Sequence, residues 1–201
     1  AYKGAMYAGG WFSNAGGHTA NGIAGWNGSN WFGLGTEIGG GVVDGLDTFN
    51  NYLVIINSGA NAVNVWDGSK LSYFFGPPEL NAVTVYDGQL YTAGYQVSNP
   101  SAYLNEDIAT LYRLPALSYT SWVAVATFSC SCYTGNTNCL AIYNNKLYIG
   151  GQFDSVNSKA VKCTNIACWD GNTITPVGTG INGPVYALAS YDGNLYAGGL
   201  F

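Results

Sequence analysis

Val185-Tyr-Ala-Leu-Ala-Ser-Tyr-Asp-Gly-Asn-Leu-Tyr-Ala-Gly-Gly-Leu-Phe201 is a phrase that returns upstream. Ala141-Ile-Tyr-Asn-Asn-Lys-Leu-Tyr-Ile-Gly-Gly-Gln-Phe153 repeats it. Ala82-Val-Thr-Val-Tyr-Asp-Gly-Gln-Leu-Tyr-Thr-Ala-Gly94 is a third copy, and Tyr2-Lys-Gly-Ala-Met-Tyr-Ala-Gly-Gly-Trp-Phe12 is the tail of a fourth. Leu46-Asp-Thr-Phe-Asn-Asn-Tyr-Leu-Val-Ile-Ile56 is a weaker fifth, in which Ile56-Asn57 stands where the others have paired glycines. The equivalent apolar residues Met6, Leu53, Leu90, Leu147 and Leu195 are spaced by 47, 37, 57 and 48 residues.

A second phrase lies between these copies. It reads Ile23-Ala-Gly-Trp-Asn-Gly-Ser-Asn-Trp31, Val63-Asn-Val-Trp-Asp-Gly-Ser-Lys-Leu71 and Ile166-Ala-Cys-Trp-Asp-Gly-Asn-Thr-Ile174, and decays to Ile108-Ala-Thr-Leu-Tyr-Arg-Leu114 in the third repeat. Asn-Gly and Asp-Gly between alternating apolar and small residues supply the positive φ angles of a type I′ hairpin turn. Two such hairpins per repeat give four short antiparallel strands. The paired glycines allow close backbone approach, and the aromatics at matching positions, Trp26, Trp66 and Trp169 among them, pack between neighbouring sheets.

Units of four strands at this period bury their faces against one another around an axis, so the expected fold is an all-β propeller. The repeats run over 6–52, 53–89, 90–146 and 147–194, with a further one beginning at 195–201, in a single domain or part of a larger ring. This division yields seventeen strands, one more than four four-stranded blades hold. The extra strand implies either a piece of a larger ring or an end that reaches across to another chain.

These residues resemble the kelch-type propeller repeat. More closely, they are similar to the repeats with LYxGGxF … NIAxWDG phrasing of secreted and cell-surface proteins. The resemblance covers essentially the whole chain and is strongest at 1–35 and 140–201. It weakens at Ile56-Asn57, at Leu111-Tyr112, and at insertions near 95–107 and 129–137. It implies an architecture with a binding or scaffolding habit, and no single shared activity.

Composition narrows function further. Six basic and eleven acidic residues give a formal charge of −5, which excludes a polybasic nucleic-acid binder. Charged residues are only 8 % of the chain, too few for a disordered or long solvated helical protein. No apolar run approaches the roughly 18 residues of a membrane helix, so no membrane insertion is expected. The sequence opens at Ala1 with no Met or signal segment, which leaves a removed signal peptide and an excerpt of a longer chain both open.

The five cysteines, Cys130, Cys132, Cys139, Cys163 and Cys168, all lie in the last 72 residues. Local disulfides of an oxidising compartment are expected: Cys163 with Cys168 around a short loop, and Cys139 with Cys132 or Cys130. Buried thiols are the alternative, and a zinc site lacks a CxxC pair and a second histidine. Asn27-Gly28-Ser29 is a glycosylation sequon, whereas Asn99-Pro100-Ser101 is blocked by its proline.

Catalytic motifs are thin. Gly178-Thr-Gly-Ile-Asn-Gly183 fits GxGxxG, but Pro184 and a strand follow it instead of a helix. His18 is the sole histidine, no GxSxG elbow presents a serine, and a copper radical oxidase of the kelch-like kind needs two imidazoles. Asp67, Asp87, Asp170 and Asp192 read as turn residues; of the other seven acids, Glu37, Asp44, Asp47, Glu79, Glu106, Asp107 and Asp154, a pair among Asp44, Asp47, Glu106 and Asp107 is the candidate for glycoside cleavage. Asp154-Ser-Val-Asn157 carries too few charges for a calcium loop. Trp11, Tyr95, Tyr103, Tyr119 and Tyr133 fall in or near loops and are the candidates for stacking on sugars.

The expectation is therefore a cofactor-free, non-enzymatic scaffold, extracellular or on a cell surface, that engages copies of itself or surface glycans and self-assembles. A lectin-like propeller is the second reading, and a glycoside-active enzyme the third.

Overall fold

A computed structural model of the chain describes residues 1–35, 38, 42–57, 62–77, 80–96, 108–115, 122–131, 135–157 and 160–201. Strands build all of its regular structure, with no helix among the described residues. The first sheet is β1 (Met6–Gly9), β4 (Ile23–Trp26) and β5 (Trp31–Gly33), beside a small ribbon of β2 (Asn14–Ala15) and β3 (His18–Thr19). The second is the meander β6 (Val43–Phe49), β7 (Tyr52–Asn57), β8 (Ala62–Trp66) and β9 (Leu71–Phe75). The third is β10 (Leu80–Tyr86), β11 (Gln89–Gln96), β12 (Ile108–Leu114) and β13 (Val123–Ser129). The fourth joins β14 (Asn136–Tyr143), β15 (Lys146–Gln152), β18 (Ile166–Trp169) and β19 (Ile174–Pro176). Between β15 and β18 a ribbon of β16 (Ser155–Val156) and β17 (Val161–Lys162) crosses over to β13 and widens the third sheet to six strands. A final hairpin, β20 (Val185–Tyr191) and β21 (Asn194–Gly199), stands alone.

The all-β reading and the hairpin period are therefore as the sequence indicates. A uniform set of four-stranded units is not: the sheets hold three, four, six, four and two strands. They are open and do not close a ring.

The two turn types of each repeat differ, which refines the sequence expectation. The first hairpin turns have positive φ at both central residues: Lys3-Gly4, Asn50-Asn51, Asp87-Gly88, Asn144-Asn145 and Asp192-Gly193. Asn, Asp and Gly tolerate this left-handed region best. The second hairpins use a four-residue loop instead. In Asp67–Lys70 the Asp67 carboxylate accepts the amides of Ser69 and Lys70 at 2.7 Å each. Asp170 accepts those of Asn172 and Thr173, and the Asn27 side chain those of Ser29 and Asn30. Only the glycine after each takes positive φ, near +100° at Gly28, Gly68 and Gly171.

Hydrophobic burial lies between consecutive sheets. Ile23, Val43, Leu53, Ile55 and Trp66 close the joint between the first and second. Phe49, Val54, Ile56, Leu80 and Leu90 close the next. Tyr86, Tyr91, Leu147, Ile149 and Trp169 belong to the largest cluster, between the third and fourth. The opening strands carry the sequence of contacts, with β6 against β10, β10 against β14 and β14 against β20.

Candidate functional site

The feature repeated with the greatest chemical fidelity is the joint between adjacent sheets. A tyrosine closes the opening strand of most repeats, just before the first turn. Its hydroxyl reaches across to the second turn residue of the following sheet: Tyr2 donates to the Asn51 carbonyl at 3.0 Å, Tyr86 to Asn145 at 3.1 Å and Tyr143 to Gly193 at 2.9 Å. Five residues on, a second tyrosine packs against the first, giving the ring pairs Tyr2–Tyr7, Tyr86–Tyr91 and Tyr143–Tyr148 with centroids about 6 Å apart. Burial raises the pKa of Tyr2 and Tyr86, because it penalises the phenolate.

The second tyrosine meets the tryptophan of the next sheet. The Trp169 indole donates to the Tyr91 hydroxyl at 3.4 Å, and Trp66 bonds in the same way to Tyr7. At the joint between the second and third sheets both partners change together. Val54 stands in the tyrosine position, Leu114, paired with Leu90, in the tryptophan position, and Phe49 replaces the hydroxyl donor. There the Asp47 carboxylate supplies the polar contact, accepting the Val85 amide at 2.9 Å.

A third element sits at the far end of the opening strand. Each such strand has a register shift near its start, between Val43 and Gly45, Leu80 and Ala82, Thr137 and Cys139, and Val185 and Ala187. The bulged residue is re-aimed toward the next sheet. Asn81 donates to the Thr137 carbonyl at 3.2 Å and to the Asn136 side chain at 2.8 Å, while Asn138 donates to the Val185 carbonyl at 2.9 Å. Close approach completes the joint. A Cβ on Gly9 would lie 2.3 Å from Val43 of the next sheet, and one on Gly150 would lie 2.7 Å from both Val185 and the Cys139 sulfur.

Sequence reasoning identified the tryptophans and paired glycines as packing residues but missed the tyrosine and asparagine bonds. The usable signal was the tyrosine before each turn, with its coordinated loss at Phe49 and Val54.

The expected disulfides are corrected. Cys139, Cys163 and Cys168 are free thiols, so neither a Cys163–Cys168 bridge nor one from Cys139 to Cys132 or Cys130 forms. Cys163 points into the core shared by Phe153 and Val156, whereas Cys168 lies inside β18 and bonds to Tyr148. The two thiols thus occupy different packing environments. Cys139 lies just after the bulge of β14, paired with Gly150, and burial pushes its pKa up to about 11. Cys130 is disulfide-bonded, and Cys132 lies outside the described residues.

Of the sugar-stacking candidates, Trp11 is 92 % exposed just after β1, and Tyr95 is half-buried in β11. Tyr103, Tyr119 and Tyr133 lie outside the described residues, as do Glu106 and Asp107 of the carboxylate set. Asp47 caps the Thr48 amide besides its Val85 bond, and Asp154 accepts the Ser131 amide at 2.8 Å and the Ser155 hydroxyl at 2.7 Å. Asp170 is held down at about 2 by the amides of Thr173 and Asn172. Asn27 is exposed on its turn. Among the described residues no three of His, Cys, Asp and Glu gather as a metal site would require.

No family model matches the chain, and no curated protein matches it either, so the kelch-like resemblance rests on the repeat phrases. Among solved structures, the computationally designed Ika8 protein is similar at a TM-score of 0.56 and 14 % identity, over 98 % of this chain and 53 % of that one. This chain thus spans about half the length of Ika8, and the likeness concerns fold alone. The computationally designed Ika4 protein aligns at a TM-score of 0.49 and 15 % identity, over 79 % of this chain and 85 % of that one.

Proposed function

We propose that the chain is a structural scaffold of the extracellular or cell-surface kind, built of kelch-like propeller units and acting through association with further copies. The observation that carries this reading is the recurrence of one joint. The same tyrosine-to-turn bond forms at three of the four interfaces between consecutive sheets, which each present one face forward and one back. A stack of this design is modular, because each unit recognises the next by the same chemistry.

The acids support the reading by what they do. Asp67 and Asp170 cap turns, Asp47 bridges two sheets, and Asp154 ties Ser131 to Ser155. Low charge also favours association, since little like-charge repulsion opposes contact between molecules.

Light scattering over a concentration series, with electron microscopy of the same samples, tests the proposal. Ordered polymers or sheets that grow with concentration are expected, and a monomer at every concentration would refute it. The exposure of Trp11 favours one second reading, a carbohydrate-binding surface. Quenching of tryptophan fluorescence on glycan titration, abolished by Trp11→Ala, would support that reading.

A further inference from the structure

We infer that Asn27-Gly28 is a site of self-modification, at which the Asn27 side-chain amide is lost to attack by the Gly28 backbone nitrogen and replaced by a carboxylate. This chemistry is independent of the scaffold reading above.

The chain has three Asn-Gly pairs, Asn21-Gly22, Asn27-Gly28 and Asn182-Gly183. Glycine has no side chain to shield its nitrogen, so all three are open to this reaction in an unfolded chain. The fold separates them. Gly22 is buried and its amide donates to the Phe12 carbonyl at 2.7 Å, so the nitrogen that would attack is engaged. Gly183 is buried against the Leu200 carbonyl, which an ideal Cβ there would approach to 1.8 Å. Asn27 and Gly28 are both exposed, and a Cβ on Gly28 would meet nothing within 4 Å. Gly68 and Gly171, the matching residues of two later sheets, are exposed too, although a preceding sheet reaches each of them through Lys3 or Tyr86. The accessibility of Asn27-Gly28 thus follows from the turn itself.

The same turn prepares the carbonyl that is attacked. Asn27 Oδ1 accepts the amides of Ser29 and Asn30 at 2.9 Å each. These donors face the oxygen on which negative charge collects when a nucleophile adds to its carbon, the arrangement of an oxyanion hole. Attack bonds the Gly28 nitrogen to Asn27 Cγ and expels ammonia, which carries off the Gly28 amide hydrogen and leaves a cyclic imide. Water then opens the imide at either carbonyl, giving aspartate or isoaspartate at this position.

The aspartate product has a turn ready for it. In Asp67-Gly68 and Asp170-Gly171 a carboxylate accepts the same two amides at 2.7 to 2.9 Å, and charge strengthens such bonds. Conversion to aspartate therefore brings the turn of the first sheet to the chemistry of the other two. Isoaspartate lengthens the main chain by a carbon and removes the acceptor from its place.

The test uses the folded chain, made without N-linked glycan, held in mildly alkaline buffer and sampled over time by chymotryptic mass mapping. A parallel sample is unfolded in guanidinium chloride, where all three pairs are expected to convert. In the folded chain Asn27 is expected to convert at least about fivefold faster than Asn21, whose Gly22 amide must first give up one net hydrogen bond. Asn182 is expected to stay intact. Retention of Asn27 in the folded chain while the unfolded chain converts it would overturn the site, and so would equal conversion of the three pairs in the folded chain. Asn27→Asp examines the product separately. It is expected to melt no lower than the unmodified chain, and a lower melting temperature would sink the claim that the turn accepts the carboxylate.

Discussion

The Tyr86 hydroxyl donates to the carbonyl of Asn145, 59 residues further along the chain, at 3.1 Å. This bond joins the end of an opening strand in one sheet to the tip of the first hairpin in the next. It fixes how far one sheet slides over its neighbour, a quantity that hydrophobic contact alone leaves loose because such contact has no direction. Removing it by Tyr86→Phe leaves the ring in the core and orphans one carbonyl at a turn. The expected loss is about 1 kcal/mol in urea unfolding. The converse change, Phe49→Tyr, tests the same geometry at the joint that lacks the bond, and a gain of up to about 1 kcal/mol is expected if the new hydroxyl reaches Gly88.

The glycines separate into two classes by what faces them. Gly150→Ala drives a methyl into Val185 and the Cys139 sulfur and is expected to destabilise the protein by about 1–3 kcal/mol, as overpacking does. Gly198→Ala has open space on its forward side and is expected to be near neutral in the monomer. Thermal melts of the two variants, measured side by side, provide the comparison.

Cys139 titrates at about 11, so at pH 8 only about one thiol in a thousand is the reactive thiolate. Burial raises Cys163 and Cys168 as well. Iodoacetamide is therefore expected to label all three slowly in the native protein and rapidly in urea. Mass spectrometry of alkylated peptides reads the difference, and fast native labelling of Cys139 would contradict its placement against Gly150.

Opposite ends of the pH scale address different parts of the fold. The folded pKa of Tyr86 lies above its unfolded value near 10, so its contribution is complete below that pH and is lost as pH rises through the folded value. Asp170 is shifted the other way, to about 2, so its contribution is present above about 4 and is lost as pH falls toward 2. Unfolding followed across pH is expected to show an alkaline arm reduced by Tyr86→Phe and an acid arm reduced by Asp170→Asn.

The hairpins were readable from the chain because turn chemistry is local. Lys3-Gly4, Asp87-Gly88 and Asp192-Gly193 determine their own backbone angles whatever lies around them. The tyrosine bonds were not readable, because the acceptor for Tyr2 lies 49 residues away and nothing local says which carbonyl it meets. The cysteines misled for a related reason. Cys163 and Cys168 are close in number, but Cys163 follows β17 and Cys168 lies inside β18, with a turn at Asn165 of positive φ between them. The chain thus sends Cys168 to Tyr148 and leaves Cys163 with Phe153. The strand count failed at two short ribbons, β2 with β3 after Phe12 and β16 with β17 after Phe153.

The sheets meet their neighbours in chain order, from β1 and β6 through to β14 and β20. An architecture of this kind has no central keystone. Its free energy accrues joint by joint, so a gene that duplicates one segment lengthens the product without redesigning what was already there. The same economy tolerates decay. The exchange of Phe49, Val54 and Leu114 into positions held elsewhere by Tyr and Trp shows one link drifting while the links on either side keep their chemistry.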